Sequence, residues 1–162
     1  MTIANRVNVL QMENVLDAIA QIVRDVDGMR EVWCQVDEGR ATFPPAAINT
    51  TPAALVFYER SVDYSRVAGL ERDEYVVSVQ ILAGPAASLM GASSRLAVQL
   101  RQRLLDDMGN HIMLAIDGTP LCTSCIYLPG VGLRTFTYAD VDFVGIDMEF
   151  QVTEERSRDF SP

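Results

Sequence analysis

The stretch YADVDFVGIDMEFQV, residues 138–152, decides the fold. Asp140 and Asp142 alternate with Val141 and Phe143; past Val144 and Gly145 the apolar set becomes Ile146, Met148, Phe150 and Val152, opposite Asp147, Glu149 and Gln151. Alternation of this kind marks a strand with one buried face, because successive side chains point to opposite sides. The apolar parity flips by one residue at Val144/Gly145. A single face stays buried across such a flip only if the ladder takes in an extra residue, so the stretch predicts one long strand from Tyr138 with a β-bulge at Val144/Gly145. A strand of about 15 residues spans ~50 Å, against the usual five or six residues. With an acidic outer face it suits either edge-to-edge association between subunits or a long twisted run inside one monomer.

Upstream, Ala54 to Arg60 and the Val- and Ile-rich Glu74 to Leu82 read as two further strands. Between them, residues 61–73 read as a polar connection in which Arg60, Arg66 and Arg72 interleave with Asp63, Glu71 and Asp73. The pair predicts a long hairpin whose tip projects from the body. Glu31 to Val36 is a short strand. Asp37 to Pro52, with Gly39, Pro44, Pro45 and Pro52, is a loop pinned by prolines.

Two helices complete the plan. In residues 9–27, Val9, Met12, Leu16, Ile19, Val23 and Val26 recur every three or four positions, with Asn5 or Asn8 as cap and Gly28 as the left-handed stop. After a small, flexible segment from Ala83 to Ser94, Leu96, Leu100, Leu104 and Met108 step by four through residues 94–108, and Gly109-Asn110 ends that helix. Ile112 to Ile116 is a last short strand before an Asp117-Gly118 turn. The expected fold is α+β, with two helices packed on one face of a mixed, mostly antiparallel sheet and a projecting long β-hairpin. Residues 1–153 form one domain and residues 154–162 a loose charged tail.

Composition narrows the function. All 13 basic residues are arginine, which removes every lysine-dependent chemistry, and the formal net charge of −9 disfavours wrapping nucleic acid. No apolar run approaches the ~20 residues of a membrane span, and no signal peptide opens the chain, so a soluble cytoplasmic product is expected. Three cysteines, an odd number, fit a reducing compartment better than a disulfide framework.

Cys122 and Cys125 have the spacing of a dithiol or half a zinc site. No helix follows them, and Cys34 and His111 are the only further candidate ligands, so they read as small apolar groups beside strands. His111, placed after a helix end, reads as answering the last carbonyls. The carboxylate pairs Asp106-Asp107, Asp140/Asp142 and Asp147/Glu149 read as solvated rows. Leu128-Pro129-Gly130-Val131-Gly132 precedes a strand instead of a helix and reads as a turn. No catalytic residue, cofactor or metal site is expected.

In order, size and texture of elements the chain resembles the tail terminator (tail completion) proteins of long-tailed phages. The resemblance is carried by the opening helix Val9 to Asp27 with its Asp-Gly turn, by Pro52 to Tyr58 running through the polar connection to Glu74–Leu82, and by the helix Ser94 to Met108 with the acidic closing strand. It implies a ring, a hexamer, that caps the growing tail tube, stops its polymerisation and joins the head connector. Its partners would be copies of itself, the tail tube protein and the head–tail connector protein, with DNA passing unbound and no membrane involved. Its place would be the neck end of the virion tail, after assembly in the host cytoplasm. A closed ring needs two different complementary patches on each subunit. Arg60, Asp63, Tyr64, Arg66 and Arg72 on the hairpin are expected to form one, since Tyr and Arg favour interface cores. The acidic residues Asp140, Asp142, Asp147 and Glu149 are expected to line the lumen or an outer surface. The competing readings are another phage neck, tube or head-closure protein, and a small thiol-dependent or metal-binding module using Cys122 and Cys125.

Overall fold

The computed structural model describes residues 3–37, 40–109, 115–116, 119–120, 122–129 and 132–157. Helix α1 (Ile3–Asp25) is followed by the short strands β1 (Glu31–Cys34), β2 (Val36–Asp37) and β3 (Arg40–Ala41), then by β4 (Ala53–Val67) and β5 (Leu70–Pro85). Helix α2 (Ala86–Gly109) leads to β6 (Ala115–Ile116), β7 (Thr119–Pro120), β8 (Ser124–Leu128), β9 (Leu133–Tyr138) and β10 (Val141–Ser157). The main sheet runs β1-β4-β5-β10-β8, with β9 also paired to β10; only β1 and β4 are parallel. The fold is α+β.

Both helices lie on one face, as their apolar spacing demands. Val15, Leu16, Ile19, Ala20 and Val23 of α1 and Ala97, Leu100 and Leu104 of α2 are fully buried. They join Val56, Val77, Val79, Ile81, Ile146, Met148 and Phe150 in the main core. Burying each of the larger of these side chains stabilises by roughly 1.5–3 kcal/mol. Gly28, at φ 96°, turns the chain out of α1 as expected. Arg103 of α2 donates to the Asp27 carbonyl at 2.6 Å, placing a cation at the carbonyl end of α1. Helix α1 already runs from Ile3, so Asn5 and Asn8 lie within it and do not cap it.

The opposite face carries a second, smaller core at one end: Ile48, Ala53, Leu55, Leu82 and Phe143, with Trp33, Phe57, Phe136 and Tyr138 against it. The proline-rich loop covers this end. Ile48 is buried there, and the Tyr138 hydroxyl donates to the Pro45 carbonyl.

This second core corrects the reading of residues 138–152. The ladder shifts register between Val144 and Gly145, where the bulge was expected. The pairing of β10 with β9 runs unbroken through the same point, however, and Ala83 of β5 is the residue left without a partner. The extra residue therefore sits on β5. The apolar parity of β10 flips because Phe143 serves the small core and Ile146 onward serves the large one. Tyr138 belongs to β9, and Ala139 and Asp140, both at positive φ (47° and 63°), make a two-residue turn into β10.

Other boundaries move too. Residues 61–73 are strand, not connection: β4 and β5 pair as far as Val67↔Leu70 around an Ala68-Gly69 turn with φ of 48° and 84°. The segment 83–94 is the end of β5 and the first turns of α2. As far as Thr153, strand β10 lies between β5 and the β8/β9 pair, so that part of it is not an edge; from Glu154 to Ser157 its pairing among the described residues is with β5 alone. It continues past Thr153, pairing through Ser157↔Leu70, and Glu154 is buried, so the loose tail expected from residue 154 is strand to Ser157. His111, Asn110, Ile112 to Leu114, the Asp117-Gly118 turn, Gly130-Val131 and residues 158–162 lie outside the described residues. Among the described residues, no helix is long and apolar enough to cross a membrane.

Candidate functional site

Beyond Tyr58 the hairpin leaves the body. Strand β1 stops at Cys34↔Val56, and Gln35 finishes that edge: its amide donates to the Val56 carbonyl at 2.9 Å and its side-chain oxygen accepts from the Tyr58 amide at 2.8 Å. From Glu59 to Tyr64 every residue of β4 is exposed. With β5 from Leu70 and β10 to Ser157, β4 forms a three-stranded arm.

Register shifts at Tyr58/Arg60 and Ser61/Asp63 make Glu59 and Val62 bulge residues. They set which way the arm's side chains point. Arg60, Asp63 and Ser65 oppose Val76, Glu74 and Arg72, on the face away from the helices. Tyr64 and Arg66 oppose Asp73 and Glu71, on the helix face. The five residues expected to form one interface patch are thus divided: Arg60, Asp63 and Arg72 on one side, Tyr64 and Arg66 on the other.

The face away from the helices is a lattice of intrachain polar contacts. Arg60 grips Glu149 with two hydrogen bonds of 2.8 and 3.3 Å, which hold that carboxyl below the usual carboxylate range. Arg72 meets Glu74 at 2.5 Å and Glu155 at 4.0 Å. Asp147 accepts from Arg134 at 2.7 Å and from Ser78 at 2.6 Å. The expected acidic row does not form as a unit. Asp147 and Glu149 share this face and are paired; Asp140 sits in the β9–β10 turn; Asp142, on the helix face, accepts from Thr137 at 2.6 Å.

On the helix face of the arm, Tyr64 donates to the buried Glu71 at 2.6 Å and Tyr75 donates to the buried Glu154 at 3.0 Å. Burial and the adjoining Glu154 push the Tyr75 hydroxyl far above its ordinary range. Burial likewise raises the Cys34 thiol. Cys34 and Cys122 are buried, and burial, followed by the neighbouring Cys122, pushes Cys125 up to about 12. Redox and metal chemistry need a thiolate. Among the described residues no group of three or more His, Cys, Asp or Glu converges as a metal cage.

What the residue-by-residue reading missed is apolar. Val62 (47% exposed), Val67 (69%) and Leu70 (46%) join the expected Tyr64 (55%) towards the end of the arm. A second apolar exposure lies elsewhere, where α2 runs beside β9: Ser94, Arg95, Val98, Gln99 and Leu133 line a shallow groove of about 410 Å³, with Val98 and Leu133 each nearly half exposed. The signal for the first was present in sequence as Val62, Val67 and Leu70 inside an otherwise charged run; the groove has no local signature, since its two sides are 34 residues apart. No protein-family model and no curated protein sequence matches this chain.

Proposed function

We propose that this chain is a structural ring protein that caps a phage tail tube, ending its polymerisation and forming the joint to the head connector. The observation that carries the reading is the arm: a three-stranded extension whose polar groups pair among themselves while its end presents Val62, Tyr64, Val67 and Leu70 to solvent. Exposed aliphatic groups gathered at one projecting end suit contact with protein better than binding of a small molecule. The fold offers this patch together with a separate groove, which is the pair of unlike surfaces that a closed ring of identical subunits requires. In this reading the carboxylate-rich sheet face, with Glu74, Asp147, Glu149 and Glu155, is turned towards passing DNA and keeps it unbound. The ring sits at the neck end of the virion tail. The burial of Cys122 and the raised pKa of Cys125 favour this over a thiol-dependent module.

Solution mass and negative-stain micrographs test it, with the chain alone and added to polymerising tube protein. Rings of one size, and tubes whose ends stop growing, are expected. A chain that stays monomeric at high concentration and leaves tube length unchanged would overturn the proposal.

A further inference from the structure

We propose that the arm tip of one copy seats in the groove between α2 and β9 of the next, with Val67 and Leu70 against Val98 and Leu133. The inference rests on the ring reading above and goes beyond it by naming both halves of the contact.

Four observations point to this pairing. The tip is narrow, because the Ala68-Gly69 turn carries no large side chain, and its flanking Val67 and Leu70 oppose each other on one face. The groove is open, has an aliphatic floor of Val98 and Leu133, and has room for a pair of such side chains. The charges match. Asp63, exposed on the same face of the arm as Val67 and Leu70, has no ion pair among the described residues, and neither has Arg95 at the groove. Distance makes the contact intermolecular. Leu70 pairs with Ser157 and Leu133 with Ile146, so tip and groove are set 11 residues apart along β10. At ~3.3 Å per residue that is about 36 Å, beyond the reach of a chain's own tip.

Edge-to-edge strand pairing is the natural rival, since among the described residues β4 beyond Tyr58 and β10 beyond Thr153 have no outer partner. The bulges at Glu59 and Val62 disrupt the β4 edge, as bulges do where sheets are kept from extending, and the β10 edge is a short run from Glu154 to Ser157. Side-chain insertion is therefore the mode the geometry favours. A knob and a hole at opposite ends of one subunit make a head-to-tail contact, which closes into a ring when the rotation per step divides the circle.

The experiment uses the full chain carrying Val67→Cys and Val98→Cys together. The native thiols are buried or held protonated, so mild oxidation should join only the new pair. A ladder of covalent oligomers on a non-reducing gel is expected from the double variant and single dimers at most from either variant alone. Arg95→Glu should weaken self-association at least tenfold, and adding Asp63→Arg should restore most of it; thermal unfolding of each variant checks that the fold is intact. Oligomers of normal mass without the ladder or the charge rescue would overturn this contact and leave the ring reading standing. A folded chain that never associates, alone or on tubes, would overturn both.

Discussion

The Tyr75 hydroxyl donates a 3.0 Å hydrogen bond to the Glu154 carboxylate, diagonally across the β5–β10 ladder, and both residues are almost shut off from water (1% and 3% exposed). This bond closes the base of the arm onto the body. Tyr75→Phe removes the donor and leaves a buried carboxylate short of one partner. A bond to a charged group in such a place stabilises by roughly 1.5–3 kcal/mol, and the denaturant midpoint should fall accordingly with the slope unchanged.

Alkaline pH should unfold the protein early. Cys125 is held neutral up to about 12 against an ordinary 9.0, and Tyr75 is raised well above its ordinary 10.0. The unfolded chain therefore gives up these protons before the folded one does. Cys125's contribution is fully present below pH 9 and is lost as pH climbs towards 12; Tyr75's begins to fall above pH 10. Melting temperature measured from pH 8 to 11 should decline from about pH 9, and Cys125→Ala should make the onset shallower without abolishing it, because burial also raises Cys34 from the same ordinary value.

Gly145 has no room for a side chain. A Cβ there would stand 2.1 Å from the Ile81 carbonyl oxygen and 3.1 Å from the Phe136 ring. Gly145→Ala must part β10 from β5 at the bulge, at a cost of roughly 1–3 kcal/mol. Gly132→Ala, which meets nothing within 4 Å, is the matched control and should leave thermal unfolding nearly unchanged.

Replacing both Cys122 and Cys125 with alanine should leave self-association intact in reducing buffer, with some loss of stability from Cys122 in the main core. Loss of assembly without loss of fold would move the thiols from packing to function.

The parts of the fold that were legible in sequence are those with one wet and one dry face. Leu16, Ile19 and Val23, or Ile146, Met148 and Phe150, each line a single buried side, and their spacing declares it. Residues 61–73 gave no such contrast. Much of β4 and β5 there meets water on both sides, so a regular strand reads like a loop. The bulge was legible in position but not in ownership. Phe143 and Met148 look like one interrupted face when only one core is imagined, and the second core depends on Ile48 from a loop nearly 100 residues away. The candidate surface was half legible. Tyr64 and the arginines drew notice as interface types, yet Arg60 and Arg72 are taken up by Glu149 and Glu74 inside the same chain.

The Ala68-Gly69 turn has one more consequence. A two-residue reversal carries no slack, so the arm is a ruler graduated in single rungs. Trimming two rungs from β4, β5 and the end of β10 together would retract the tip by about 7 Å while every remaining side chain kept its side. Trimming one would turn the tip over, exchanging Val67 and Leu70 for the opposite face. Reach and handedness at the tip are thus adjustable separately, in even and odd steps.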